Sequence, residues 1–411
     1  MTALLLAALA AAPGSFKLKP GAEGAQCLVC HNQFKEQLAR PHVHTPVRSK
    51  QCTGCHSPHA ARHGKLLAVD KAQVCLTCHS TVVPREAKST HAPVARGACV
   101  SCHDPHASAN PAVLVKPAAE LCASCHQPIA EGAAKATVKH APLEKEGCAA
   151  CHLPHGSAKA THLLKAEVPA LCVSCHDPRQ KKFGKAHLGY PVSRSQCTSC
   201  HDPHGSSQKG MLYDSVHKPV ASRSCSQCHE LPGSARPLAT RRQGLELCRS
   251  CHAEKVALML DKGGVHRPLL DEASCLSCHA PHASRQPALL ARPQLATCGS
   301  CHADTIARQE RSPTRHPPVA QGQCTSCHDP HASDGTLLLG EKHKPESCAP
   351  CHENMQHSSH PLGAKFKDPR NPNRTLDCLS CHRAHGTEHK HLIPAARTTE
   401  LCVQCHERFK R

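Results

Sequence analysis

All 32 cysteines of this chain fall in sixteen copies of one pentapeptide, C-x-x-C-H, and none is left over. No hydrophobic pattern in the chain constrains the fold as strongly, because the motif imposes one local geometry at sixteen places. Residues three apart share one face of a helical turn, so both thiols point the same way and the imidazole follows beside them. That arrangement suits covalent haem: the thiols form thioethers with the two vinyl groups, and the histidine binds iron from one side.

The sixteen sets are Cys27, Cys30 and His31; Cys52, Cys55 and His56; Cys75, Cys78 and His79; Cys99, Cys102 and His103; Cys122, Cys125 and His126; Cys148, Cys151 and His152; Cys172, Cys175 and His176; Cys197, Cys200 and His201; Cys225, Cys228 and His229; Cys248, Cys251 and His252; Cys275, Cys278 and His279; Cys298, Cys301 and His302; Cys324, Cys327 and His328; Cys348, Cys351 and His352; Cys378, Cys381 and His382; and Cys402, Cys405 and His406. Disulfides would explain an even cysteine count in an exported protein, but they do not require histidine after every second cysteine. Four-thiolate zinc sites would use paired C-x-x-C motifs and leave the sixteen histidines without a role.

Composition points the same way. The 411 residues include no Trp, two Tyr and five Phe, and alanine and cysteine inflate the 39% hydrophobic fraction. Side chains of this kind cannot build large cores, so the apolar filling must come from the porphyrins, and the chain without them is expected to be unfolded. The formal charge of +19 would otherwise suggest an acidic partner such as nucleic acid. Sixteen haems bring two propionates each, and ferric iron restores one positive charge per porphyrin, so the balance falls to about +3 oxidised and about −13 reduced. Lys and Arg then read as propionate counter-ions. No nucleic-acid motif accompanies them.

The chain starts MTALLLAALAAAPGS, whose apolar run is about half the length of a membrane-spanning helix. It reads as a signal peptide over residues 1–14, cleaved near 10–14, although the usual Lys or Arg before the run is missing. The first cysteine belongs to an attachment motif, so no lipid anchor is expected and the protein is exported without a span of its own.

The flanks reveal a repeat of about 49 residues carrying two motifs. The first motif of a pair is preceded by H-x-P and followed by P-H-(A/G), as in HAPVARGACVSCHDPHAS from His91 to Ser108; the second follows a Leu-rich stretch, as in AELCASCH from Ala119 to His126. Units start near His44, His91, His140, His187, His266, His316 and His360. The motif at Cys225 has His217 before it but E-L-P-G where P-H should come. These features predict an N-terminal multihaem half at 15–204, a junction at 205–247 and a C-terminal half at 248–411. The expected fold is irregular: mostly loop, with short helices carrying the motifs and ended by the x-Pro that follows, in elongated tandem two-haem repeats around a haem core with almost no β.

Through its H-x-P, C-x-x-C-H-x-P-H and L-C-x-x-C-H elements the chain resembles the doubled C-x-x-C-H cytochrome family over nearly its whole mature length. The resemblance implies low-potential, bis-His c haems in electron-transfer proteins of anaerobic or metal-respiring bacteria. The motif at Cys225 and the insert GAKFKDPRNPNRTLD before Cys378 depart from the pattern.

The sixteen motif histidines leave 22 others, enough for the far side of every iron, whereas methionine beyond the leader is limited to Met211, Met259 and Met355. Two positions recur. One is the upstream histidine: His44, His91, His140, His187, His217, His266, His316 and His360. The other is the P-H histidine: His59, His106, His155, His204, His282, His331 and His385. A P-H histidine is too close in the chain to cross the porphyrin bound three residues earlier, so it is expected to ligate a neighbouring haem. The haems at Cys27/Cys30 and Cys248/Cys251 fall outside this scheme, with His217, His42, His63, His162, His343, His357, His389 and His391 as candidates.

Irons with two histidines cannot bind substrate. The expected function is electron transfer between a periplasmic donor and an extracellular or terminal acceptor. The family resemblance implies as partners other cytochromes, a quinol-oxidising donor and an outer-membrane barrel or extracellular metal acceptor, with the protein in the periplasm, at the outer membrane or on the cell surface. The rival readings are a reductase with one or two open haems and a subunit of an extracellular cytochrome filament.

Overall fold

The computed structural model describes residues 22–340, 348, 351–352, 360 and 362–409. The expected signal peptide at 1–14 and the candidates His343 and His357 lie outside them. The attachment motifs fall on two kinds of helical turn. Most first motifs of a pair ride on single 3-10 turns, such as Cys52–Gly54, Cys99–Ser101, Cys225–Gln227 and Cys324–Ser326, while the one at Cys378 opens a short α-helix, Cys378–Cys381. Second motifs close the C-terminal end of an α-helix, as at Lys71–Leu76, Ala118–Ala123 and Gln294–Gly299, or lie within one, as at Gly244–Leu260. In both kinds the motif histidine N–H donates to the carbonyl of the first cysteine, at 3.0 Å for His56 to Cys52 and 2.9 Å for His126 to Cys122.

The H-x-P element makes the start of a helix. His44, His91, His140, His217 and His316 each precede a short helix with proline in its first turn, where the missing N–H leaves no hydrogen bond unmade. The same allowance corrects one expectation. After His126, Pro128 does not end the helical path but sits in the first turn of a new helix, Gln127–Lys135.

The stretch after most first motifs makes a tight turn in which non-glycine residues take positive φ, as at Ala112 (53°) and Val113 (51°) or Leu337 (57°) and Leu338 (55°). Such backbone is strained and persists only when neighbours hold it. The serine after P-H-(A/G) does so: Ser108, Ser157 and Ser333 donate through Oγ to the carbonyls of Leu114, Leu164 and Leu339. Ser108, Ser157 and Ser333 are buried.

Consecutive units are joined by two-residue antiparallel ladders, His42–Val43 with Ala107–Ser108, Ser89–Thr90 with Gly156–Ser157, Ser215–Val216 with Ala283–Ser284 and Gly264–Val265 with Ala332–Ser333. The longest described strands are elsewhere: the insert before Cys378 folds into an antiparallel hairpin, Gly363–Asp368 with Asn371–Leu376. Apart from these strands the described residues are mostly loop and short helices in tandem repeats, as the composition predicts.

Among the described residues the buried apolar ones are Ala107, Ala136, Ala160, Tyr190, Val256, Ala283 and Ala332, five of them alanines. At about 0.8 kcal/mol per buried methylene they cannot offset the chain entropy of a domain.

Two compact units divide the chain, Met1–Asp177 and Pro178–Arg411. The expected boundary at 204/205 does not coincide with this division. Residues after 178 bond instead with the following unit: Tyr190 Oη donates to the Glu230 carbonyl at 2.9 Å, and Arg223 donates to the carbonyls of Lys185 and Ala186. Among the described residues no helix is long and apolar enough to cross a membrane.

Candidate haem centres

Thirteen of the sixteen motif histidines face a second histidine among the described residues, with ring centroids 5.9–6.2 Å apart. Two rules generate twelve of these pairs. The upstream histidine faces the second motif of its own unit: His44 with His79, His91 with His126, His140 with His176, His217 with His252, His266 with His302, His316 with His352 and His360 with His406. The P-H histidine faces the first motif of the preceding unit: His106 with His56, His155 with His103, His282 with His229, His331 with His279 and His385 with His328. The expectation that P-H histidines serve a neighbouring site therefore has its geometry.

The exception is His187, which faces His201 of its own first motif with the rings at 74°. The unit that follows supplies no P-H histidine, since Glu230-Leu231-Pro232-Gly233 stands there, and the upstream histidine takes the place. One expectation is corrected by this register. The motif at Cys248/Cys251 lies inside a unit that begins at His217, and the irregular motif is the one at Cys197.

The separation fits an iron shared by two imidazoles. Metal–nitrogen bonds of about 2.0 Å, with each ring centre about 1.1 Å behind its nitrogen, put two centroids about 6.2 Å apart. The hydrogen bonds fix which nitrogen faces inward. In first motifs Nδ1 is bonded to the carbonyl nine or ten residues on, as His103 to Ala112 at 2.9 Å, His152 to His162 at 2.9 Å and His382 to His391 at 2.8 Å. Upstream histidines do the same toward the proline of the next P-H element, His44 to Pro105 and His91 to Pro154 at 2.9 Å. An Nδ1 that donates to a carbonyl leaves Nε2 with its lone pair, the form a metal needs. Burial also pushes His106, His155, His282, His316, His331 and His385 below the ordinary imidazole value, which favours the neutral ring.

Within each compact unit the attachment thiols neighbour one another in sequence order. Within a unit the second cysteines approach: burial and the adjacent Cys78 push the Cys55 thiol up, and Cys125 and Cys301 act likewise on Cys102 and Cys278. Between units it is the first cysteines. Burial and Cys99 push Cys75 up to about 11, and burial and Cys275 do the same to Cys248. At the irregular motif the contact is mixed, with Cys225 beside the half-buried Cys200. None of the 32 cysteines is in a disulfide, and among the described residues no three His, Cys, Asp or Glu side chains converge as a zinc cage.

Of the remaining candidates, His162 and His391 contribute backbone carbonyls to motif histidines, His42 lies on the ladder to Ser108, and His63 bridges to Leu67 through its backbone. Two supports escaped the motif reading: the serine after P-H-(A/G) and the turn carbonyl that orients each first-motif imidazole. The first had a visible signal, because the serine recurs in HAS and HGS. The second is a backbone atom and leaves no residue pattern.

The model of the doubled CXXCH motif family matches eight stretches, residues 44–83, 91–131, 140–181, 190–216, 217–257, 266–307, 316–357 and 371–411. The first seven matches begin at or near the upstream histidines and the eighth inside the hairpin, the short fourth match holds the single motif at Cys197, and the fifth pairs the motifs at Cys225 and Cys248. No curated protein matches the chain at a significant level. Repeated attachment motifs, facing histidines and eight family matches together make this chain a member of the doubled CXXCH motif family, a multihaem c-type cytochrome that binds haem c and transfers electrons.

Proposed function

We propose that the protein carries sixteen haems, one on each C-x-x-C-H set, and works as an electron wire and store. The two cysteines of each set hold the porphyrin, its histidine binds the iron, and the recurring second histidines close the opposite side. The facing histidine pairs at 5.9–6.2 Å carry this reading. His59 and His204 occupy the same repeat position as the other P-H histidines and are assigned the same role. Irons closed on both sides take and pass electrons but hold no nitrite, peroxide or oxygen, so the chain is read as a carrier and not an enzyme. Within each compact unit, the sequence-ordered row of attachment cysteines supports transfer from each haem to the next.

The apolar leader and the family support an exported protein, in the periplasm or at the outer membrane, in anaerobic respiration. Its donors would be other cytochromes or a quinol-oxidising protein, and its acceptor extracellular or terminal, reached through a barrel or directly. The test is a count of haem iron per chain with electron paramagnetic resonance of the oxidised protein. Sixteen irons, all low-spin, are expected. A high-spin ferric signal that shifts on adding nitrite would overturn the closed-iron reading in favour of a reductase.

A further inference from the structure

The hairpin Gly363–Leu376 is a segment that the repeat itself does not require. In the other units eight to ten residues separate the upstream histidine from the first cysteine, whereas eighteen separate His360 from Cys378. Insertions into a repeat collect on one face of the array, and that face is often the binding face.

An isolated two-stranded hairpin is marginal in water, so something must hold this one. Its turn does. Asp368, 4% exposed, accepts from Arg370 Nε at 3.0 Å and from Nη2 at 2.8 Å. The same guanidinium donates to the Ser380 carbonyl at 2.6 Å and to Gln404 Oε1 at 2.9 Å, which joins the turn to the last two attachment loops. The charges Arg370 and Asp368 are thus used internally, while Lys365, Lys367 and Arg374 stay exposed and make no ion pair among the described residues. Phe366, between the two lysines, is 42% exposed. The result is a finger whose exposed charges are cationic, with Phe366 between two of them, tied through Arg370 to the sites at Cys378 and Cys402.

We propose that this hairpin docks an acidic redox protein, so that electrons enter or leave at the last two attachment sites; the inference rests on the electron-transfer reading above. With its haems the molecule carries a net charge of about +3 oxidised and about −13 reduced, so the whole molecule attracts an acidic partner little in the first state and repels it in the second, and a local positive patch does the steering. The occupant must exchange electrons, because the hairpin is tied to two attachment loops, and this favours a redox protein over an anionic membrane.

The test uses the haem-loaded full chain and reduced flavodoxin, an acidic one-electron donor, in stopped-flow oxidation at low and high salt. The variant Lys365→Glu/Lys367→Glu/Arg374→Glu is compared with Lys116→Glu/Lys145→Glu/Lys159→Glu, an equal charge change at exposed lysines of the other compact unit. The expected result is a rate about tenfold lower for the hairpin variant at low salt, converging with the parent at high salt, while the control keeps most of its rate. Equal slowing of both variants, or no slowing of the hairpin variant, overturns the proposal. So does hairpin-dependent binding to phosphatidylserine vesicles with an unchanged flavodoxin rate. Reduction by dithionite separates the two readings: a chain that dithionite cannot reduce fails as an electron carrier, whereas one it reduces normally tests only the docking site.

Discussion

The backbone N–H of His44 donates to the carbonyl oxygen of His106 over 2.9 Å, and the two imidazoles then diverge, His44 toward His79 and His106 toward His56. His79 and His56 belong to the two motifs of a single unit. One hydrogen bond between consecutive units therefore sets the second histidines of both sites in that unit at once. His91 with His155, His217 with His282 and His266 with His331 repeat it at 2.8–3.0 Å.

Replacing His106 by alanine should open a single site, the one at Cys52/Cys55. Electron paramagnetic resonance of the oxidised variant should show a high-spin signal for about one iron in sixteen, with the rest unchanged. His217→Ala should do the same at Cys248/Cys251. A variant with unaltered spin state at either position contradicts the register of the pairs.

The strained turns depend on the buried serines. Ser157→Ala removes the bond to the Leu164 carbonyl and those received from Lys159 N and Ala160 N. The expected loss is about 1–3 kcal/mol of local stability, visible as faster amide exchange over residues 157–165 with haem content unchanged.

Asp368→Asn should loosen the hairpin by about 1–3 kcal/mol, since Arg370 loses its carboxylate partner. The Arg370 guanidinium holds the Asp368 carboxyl well below the usual carboxylate range, against the opposing effect of burial. A depressed folded value means that the stabilisation is complete above about pH 4 and fades as pH falls further. Limited proteolysis between Gly363 and Leu376 should accelerate below pH 4 in the parent and be fast already at pH 7 in the variant.

Chain made without haem attachment should not fold. Circular dichroism should show little helix, and protease should degrade it without a stable fragment, because the buried apolar residues are mainly alanines. A cooperative thermal transition in such material would count against porphyrins as the core.

What the sequence determined by itself was local and covalent. Thioether attachment needs two cysteines and a histidine within five residues, so all sixteen sets stand complete in the chain, and the recurrence of H-x-P and P-H marked the second histidines. Which of these faces which was decided only in three dimensions. His56 and His106 are fifty residues apart, and their meeting depends on a backbone ladder in which any residue type could take part. The same dependence explains the exchange at His187, which faces His201 because the next unit has Glu230 and Pro232 where a P-H histidine would have come. The hairpin before Cys378 was visible as extra length, but it is held by one arginine reaching three separate segments, a contact that no periodicity records.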